Sequence, residues 1–283
     1  MKVNNEWKDF CVLDMGKGEK LEKWGKVTLL RPDPQIIWGE KINEKKCDAH
    51  YFRSETGGGK WKQIKPMPEE WQVGWRNLKF LVKPMGFKHT GLFPEQAANW
   101  DYMISAIKSA KRPINVLNLF AYTGGATVAC ASAGASVVHV DSAKNMVERA
   151  KENAKLSGLE AAPIRYIVDD CFKFVEREIR RGKKYDAIIM DPPSYGRGTN
   201  GEVWKLEDNI FDFVALCKKV LSDRPLFVLI NSYTTGLGAT AMENVLKSAL
   251  GLLGAYESYE VGLPCQNGLV LPCGNSALYK GEK

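Results

Sequence analysis

From about residue 115 onward, short apolar segments alternate one for one with amphipathic ones, and nothing else in the chain constrains its fold as strongly. The apolar segments are Asn115-Val116-Leu117-Asn118-Leu119-Phe120, Ser136-Val137-Val138-His139-Val140, Ile164-Arg165-Tyr166-Ile167-Val168, Ala187-Ile188-Ile189-Met190 and Leu226-Phe227-Val228-Leu229-Ile230. Each has the length of a strand, and most are apolar at successive positions, so both faces of the sheet must be covered. Helical spacing fills the gaps at 123–133, 143–157, 171–182 and 207–221, which is the pattern of a parallel sheet with helices on each side. Another helix at 95–111 carries Ala98, Tyr102, Ile104 and Ile107 on one face. A last helix near 239–253 leads to two strands near 256–261 and 276–280, whose return through a loop makes them antiparallel. The expected fold is α/β: a Rossmann-like, doubly wound, mainly parallel sheet with an antiparallel terminal hairpin, filling residues 86–283.

Residues 1–85 lack that alternation and read as a small β-rich domain. Val27-Thr28-Leu29-Leu30 is a strand closed by Arg31-Pro32-Asp33-Pro34, and Gln35-Ile36-Ile37-Trp38 follows as a second apolar run before Gly39. His50-Tyr51-Phe52-Arg53 and Lys60-Trp61-Lys62-Gln63-Ile64 flank the turn Thr56-Gly57-Gly58-Gly59, and Leu78-Lys79-Phe80-Leu81-Val82-Lys83 alternates as a further strand. Charge separates the two parts. Residues 1–90 hold 18 Lys and Arg against 12 Asp and Glu, whereas 91–283 hold 22 against 21. Seven of the eight tryptophans lie at or before Trp100. Cations with interleaved aromatics suit a polyanion with stackable bases; the alternative is a small β core that needs large aromatics and carries lysines for solubility.

The seven cysteines are scattered and odd in number, which argues against a disulfide framework and for a reducing compartment. No CxxC pair occurs, and Cys265 and Cys273 have no histidine near them, so no metal site is expected. No stretch is long and apolar enough for a membrane span, and the first residues have no apolar signal core. The chain is expected in the cytoplasm; its oligomeric state is not legible.

The chemistry-bearing positions fall where the apolar strands end. The first strand runs into Phe120-Ala121-Tyr122-Thr123-Gly124-Gly125, a small-residue turn that opens a helix with free N–H groups. The next strand ends in Asp141, about twenty residues on, where an acid binds ribose hydroxyls. Together these suit an adenosine-containing cofactor. The glycine pattern GxGxxG is missing, which disfavours a pyrophosphate and hence a nicotinamide dehydrogenase. S-adenosylmethionine has a carboxylate, an ammonium and a sulfonium but no phosphate, and the more polar turn suits it. The third strand ends in Asp169-Asp170-Cys171-Phe172, where an acid can accept from the adenine amine or cap the next helix. The fourth ends in Asp191-Pro192-Pro193-Ser194-Tyr195-Gly196. Two prolines withdraw N–H donors there. The Asp191 carboxylate and Pro192 carbonyl then form an acceptor pair for an amine or ring N–H, and Tyr195 is placed to stack on a base.

These residues resemble the class I methyltransferases, and within them the group acting on the large ribosomal subunit's 23S RNA at cytosine C5 or guanine N7. The resemblance covers about 85–283. It rests on Lys88-His89-Thr90-Gly91-Leu92-Phe93-Pro94-Glu95-Gln96, on Asn118 through Gly125, on Val140-Asp141-Ser142, on Asp169-Asp170 and on Asp191 through Tyr195. It implies a cofactor site of Phe93, Gln96, Asn118, Phe120, Tyr122, Thr123, Gly124, Asp141, Ser142, Asp169, Asp170 and Asp191. Phe120, Tyr122 and Gly124 would lie on the methionine side and Asp170 at the adenine. Asp191, Pro192 and Tyr195 would be catalytic, and the stretch 198–205, with Glu202 and Trp204, would face the substrate. The acceptor would be RNA, ribosomal by this likeness.

The sequence departs from that group in two places. No PUA RNA-binding signature is visible in residues 1–85. C5 chemistry on cytosine needs a cysteine thiolate, and where such members carry one, after the fifth strand, this chain reads Asn231-Ser232. The other cysteines fall on helices or near the C-terminal loop. Transfer to nitrogen is therefore the expectation. The rival readings are a methyltransferase for a protein or small molecule, and an RNA-binding protein that uses the fold as a scaffold. His139, inside a strand, reads as packed; His89 lies near the expected cleft; the mixed charges of 173–184 read as a solvated helix face.

Overall fold

The computed structural model describes residues 1–54, 58–197 and 203–281. It divides into two compact units, Met1–Ala98 with Gly262–Cys273, and Asn99–Val261 with Gly274–Lys283.

The first unit is built from β1 (Lys2–Val3), β2 (Phe10–Gly16), β3 (Glu19–Trp24), β4 (Val27–Pro32), β5 (Ala49–Arg53), β6 (Gly59–Gln63), β7 (Trp71–Trp75) and β8 (Leu78–Val82). Strands β2 to β6 form a five-stranded sheet in chain order, antiparallel except where β4 meets β5, and β7 pairs with β8. Of the expected glycine turn, Thr56 and Gly57 lie outside the described residues. The apolar run Gln35–Trp38 is a loop instead of a strand. Its carbonyls at Ile36 and Trp38 accept from Gly18 and Lys17 across the β2–β3 turn, and Ile37 is left 90% exposed.

Tryptophans build this unit's interior. Trp24 and Trp75 are fully buried, and none of this unit's six tryptophans, Trp7, Trp24, Trp38, Trp61, Trp71 and Trp75, is exposed. Trp7, Trp61, Trp71 and Trp75 donate their indole N–H to Pro94 O, Met85 O, Trp24 O and Asn4 Oδ1. Aromatic enrichment here thus serves the core. Under the sheet, Arg31 forks onto the buried Glu22 carboxylate at 2.6 and 2.8 Å, and Lys20 lies 3.1 Å from Asp33.

The second unit holds α1 (Ala97–Ser109, which begins just before its boundary), β9 (Asn115–Leu119), α2 (Gly125–Ser132), β10 (Ser136–Asp141), α3 (Lys144–Leu156), β11 (Ile164–Val168), α4 (Cys171–Arg180) and β12 (Ala187–Met190). It continues with β13 (Tyr195–Arg197), β14 (Val203–Lys205), α5 (Leu206–Lys218), β15 (Phe227–Ser232), α6 (Ala239–Leu250), β16 (Ala255–Pro264) and β17 (Val270–Lys280). Seven strands of its sheet run in the order β16-β17-β15-β12-β9-β10-β11. The five central strands are parallel and β17 runs antiparallel to β15. This is the doubly wound α/β fold with the antiparallel return that the strand–helix alternation implies. Every residue of β12 and β15 is buried, as continuous apolar runs require.

The chain winds outward from β9 through β10 to β11, then jumps back to β12 on β9's other side. Ligands of such sheets bind at that reversal, outside the carboxyl ends of the strands. Strands β16 and β17 are longer than their apolar runs suggest, and their tip belongs to the first unit, where Gln266 N donates to Val12 O at 3.0 Å. No helix among the described residues is long and apolar enough to cross a membrane.

Candidate cofactor and acceptor site

At the carboxyl end of β9 the backbone turns through two left-handed non-glycine residues, Phe120 (φ 54°) and Tyr122 (φ 49°). A side chain in that region costs about 1–3 kcal/mol and persists only where neighbours hold it. The N–H groups at 120, 121 and 122 are each held, by α4 and by β10. Phe120 N–H points at Cys171 Sγ on α4 (3.3 Å), Ala121 N–H at Val140 O on β10 (3.0 Å), and Tyr122 N–H at Asp141 Oδ2 (2.8 Å). Backbone strain of this kind clusters at ligand-binding and active sites.

The two glycines that follow are required by packing. A Cβ on Gly124 (φ 83°) would lie 2.8 Å from Ala150 Cβ on α3, and one on Gly125 would lie 2.6 Å from the Trp100 ring. Their absence lets α2 sit close to α1 and α3, which leaves the α2 N-terminus facing the turn.

Behind the turn is a buried polar chain. Asn118 Nδ2 donates to Thr127 Oγ1 (2.9 Å), which meets His139 Nδ1 (2.9 Å). Asn153 Nδ2 donates to Thr123 O (2.8 Å). Asn118 and Thr123 therefore face the protein interior and brace the turn from beneath. His139 is packed as expected, and burial lowers its pKa to about 3, so it stays neutral.

The Asp141 carboxylate accepts one backbone N–H on each oxygen, from Tyr122 (2.8 Å) and Ala143 (2.9 Å). Burial pushes its pKa up, and those two bonds pull against the rise. Each oxygen keeps lone-pair capacity for a further donor. Ser142 beside it is exposed. At the end of β11, Asp169 pairs with Arg177 and Asp170 caps α4, accepting from Lys173 N at 3.0 Å. The capping alternative therefore holds for Asp170, and its exposed side chain still reaches solvent. The charged face of α4 is only partly solvated. Glu178 is buried, accepting from Tyr185 OH (2.6 Å) and pairing with Arg181 (3.0 Å).

After β12, Asp191 is half-buried, Pro192 is buried, and Pro193, Ser194 and Tyr195 are exposed. Asp191 N–H reaches Leu119 O at 3.4 Å, which ties the ends of the two central strands together. Of the stretch 198–205, Glu202 falls outside the described residues. Val203–Lys205 pairs with Tyr195–Arg197 as a hairpin, and the half-buried Trp204 packs against Phe120, Phe172 and Phe213. Sequence reading missed this packing, and also Cys171 as a support of Phe120. One clue was available for the first: Trp204 is the only tryptophan beyond Trp100.

Phe93 and Gln96 belong to the first unit. Phe93 stands edge-on to His89 at 5.5 Å, and Gln96 is buried in the 3-10 turn Pro94–Gln96 that precedes α1. His89 is held neutral, its pKa lowered to about 4 by burial and by the nearby Arg31, Lys88 and Lys20. Asn231 is no substitute nucleophile. It is buried and accepts from Asn99 Nδ2 (3.0 Å) and Ser276 Oγ (2.9 Å). All seven cysteine thiols are free and pushed above their ordinary pKa, chiefly by burial. Among the described residues no cluster of three or more His, Cys, Asp or Glu side chains could hold a metal.

A sequence model of the S-adenosylmethionine-dependent methyltransferases matches residues 18–212, more than half of the chain. The chain belongs to this methyltransferase family. A crystal structure of a SAM-dependent methyltransferase from Agrobacterium tumefaciens is 35% identical and superposes with a TM-score of 0.92, covering 99% of this chain and 92% of that one. The fold also matches SMU.776 complexed with SAH, at 16% identity and a TM-score of 0.76, over 97% of this chain and 76% of that one. Among curated relatives, ribosomal RNA large subunit methyltransferase I of Aeromonas salmonicida is 36% identical over 119 residues, which are 42% of this chain and 29% of the relative. Ribosomal RNA large subunit methyltransferase K/L of Syntrophotalea carbinolica is 28% identical over 183 residues, 64% of this chain and 25% of the relative. The match thus spans between a quarter and a third of those relatives' length.

The cofactor of the family is S-adenosylmethionine, and the donor set fits it. The strand edge offers the Asp141 and Asp170 carboxylates, each with acceptor capacity left, a helix N-terminus and no glycine cradle for a pyrophosphate.

Proposed function

We propose that this methyltransferase modifies a nucleobase of RNA, at a nitrogen. The observation that carries the reading is the alignment of Asp141, Asp170 and Asp191-Pro192 at the carboxyl edges of adjacent parallel strands, around the strained turn at Phe120 and Tyr122. In this reading Asp141 holds the ribose hydroxyls, Asp170 accepts from the adenine amine, and Phe120, Tyr122 and Gly124 line the methionine end. Ser142 and Asp169 flank them, and Asn118 and Thr123 brace the turn.

The bound cofactor supplies a methyl group on a sulfonium. The protein's task is then to present an acceptor lone pair in line, which calls for positioning more than for a protein nucleophile. Asp191 Oδ and Pro192 O accept from the acceptor's amine or ring N–H and orient its nitrogen; Tyr195, half exposed, stacks on the base. The absence of any acidified thiol favours nitrogen over cytosine C5, where a thiolate must attack C6. RNA as acceptor is supported by the names of the relatives, which act on ribosomal RNA, and by the cationic excess of residues 1–90. The front segment, 1–85, is assigned to holding that RNA.

Tritiated-methyl transfer into total RNA, followed by nucleoside analysis, tests the reading. Label is expected in an N-methylated nucleoside, with a KM for RNA that rises steeply with salt as lysine–phosphate contacts release counterions. Label in 5-methylcytidine would overturn the nitrogen assignment, and label in protein or small molecules alone would overturn RNA. Independently, Asp141→Ala is expected to weaken SAH binding about 10- to 100-fold, the worth of one or two hydrogen bonds to a charged acceptor. Calorimetry showing unchanged affinity in the folded variant removes Asp141 from the site.

A further inference from the structure

We infer that Trp204 is a positioning residue that locks the acceptor loop onto the cofactor turn. The inference rests on the site assignment just given and deepens it. Cross-strand pairing sets Gly196 opposite Trp204, Tyr195 opposite Lys205 and Arg197 opposite Val203. Side chains alternate along a strand, so Trp204 and Gly196 share one face of this hairpin and Tyr195 and Val203 share the other. Burial agrees, because Tyr195 and Val203 are 52% and 50% exposed whereas Trp204 is half-buried.

On its inner face the indole touches three elements. Its ring lies 5.7 Å from Phe120, in the strained turn after β9, and 5.6 Å from Phe172, at the start of α4. It stands edge-on to Phe213 on α5 at 6.0 Å. Its Nε1–H donates to Pro193 O at 2.6 Å. That bond has particular weight here. Pro192 and Pro193 have no N–H with which to anchor their own segment, so beyond Asp191 N–H the residues that follow are held in part through their acceptors. Pro193 O takes the indole, Ser194 O takes Leu206 N (3.0 Å), and Ser194 Oγ takes Thr234 Oγ1–H (2.7 Å). Of these three anchors, only the indole also packs on the cofactor turn. A shift of Phe120 is therefore passed to Pro193, two residues from Asp191.

A ring that only filled space would be replaced well by phenylalanine, which keeps much of the packing and loses the N–H. The test is Trp204→Phe in the full chain. Hydrogen exchange is followed with and without SAH, alongside steady-state turnover on RNA. In the parent, SAH is expected to protect both 119–124 and 191–197. In Trp204→Phe, protection of 119–124 persists and that of 191–197 is lost. SAH affinity stays within about threefold while kcat falls about tenfold or more at little-changed KM, as misplacement without lost binding requires. If Trp204→Phe fails to fold, Trp204→Tyr, which also lacks the indole N–H, is read the same way. Protection of 191–197 equal to the parent's overturns this inference alone. Missing protection at 119–124 in the parent overturns the cofactor placement and this inference with it. The exchange arm needs no RNA, so a wrong acceptor class leaves it decisive.

Discussion

Asp191→Ala should lower turnover by about two to four orders of magnitude, the range expected when an acceptor loses its orientation. SAH affinity should change by no more than about threefold, because the other proposed cofactor contacts remain in place. The argument begins with what is absent. In the nitrogen reading no protein nucleophile attacks the acceptor: Asn231 Oδ1 accepts from Asn99 and Ser276, and burial pushes every thiol up. Rate must then come from alignment, and Asp191 is the only carboxylate of the Asp-Pro-Pro loop. Each single Cys→Ser replacement other than at Cys171, which supports the Phe120 turn, should accordingly leave turnover within about threefold of the parent, since no step requires a thiolate. Single-turnover kinetics and trapping with a 5-fluoropyrimidine RNA check both halves. A covalent adduct on any cysteine, or near-parental turnover of Asp191→Ala, would sink the nitrogen mechanism.

Much of this site was legible because strand ends announce themselves. A continuous apolar run such as Ala187-Ile188-Ile189-Met190 is buried on both faces, so the first polar residue after it must lie at a sheet edge. That locates Asp141, Asp169 and Asp191 without a structure. What the pattern does not carry is direction. Asn118 sits in the same motif as Phe120, yet it points to Thr127 and not toward the strand edge, and Asp169 is tied to Arg177. Trp204 was placed in a substrate-facing stretch by the family resemblance alone; its packing depends on pairing across the hairpin, which no local pattern encodes. The positive φ of Phe120 and Tyr122 was equally hidden, since neither residue type favours that conformation.

The fold divides along the same line. Elements whose burial follows from apolar periodicity were found in place, from β9 through α6. Strands β2, β3 and β7 were not foreseen, and β3 shows why. Glu19-Lys20-Leu21-Glu22-Lys23-Trp24 has the composition of a solvated segment, yet Lys20, Glu22 and Trp24 are all buried. Its charges are accommodated by partners from β4 and the loop that follows, a form of compensation that hydropathy does not register.

That compensation leads to the largest expected stability effect. Glu22 is fully buried, forks onto Arg31 at 2.6 and 2.8 Å, and lies 3.6 Å from Lys20 and 3.4 Å from the Trp24 indole N–H. Burial alone would raise its carboxyl pKa; Arg31 and Lys20 outweigh that and hold it below the ordinary value. Glu22→Ala strands the buried Arg31, which keeps Lys88 O (2.9 Å) and the Trp24 ring (5.4 Å) but no counter-charge in contact, and should cost about 3–5 kcal/mol, as breaking a buried pair does. Against a typical total of about 5–15 kcal/mol, that is a large fraction. Replacing both partners, as Glu22→Leu with Arg31→Met, should recover most of the loss because no charge is left uncompensated. The sign with pH follows from the lowered carboxyl. Its contribution is fully present above the unfolded-state value of about 4.3 and disappears as pH falls through the folded-state value. Urea unfolding of parent and Glu22→Ala should therefore differ most at neutral pH and converge in acid. A neutral-pH difference below about 1 kcal/mol, typical of an exposed ion pair, would show that the pair is solvated and contributes little.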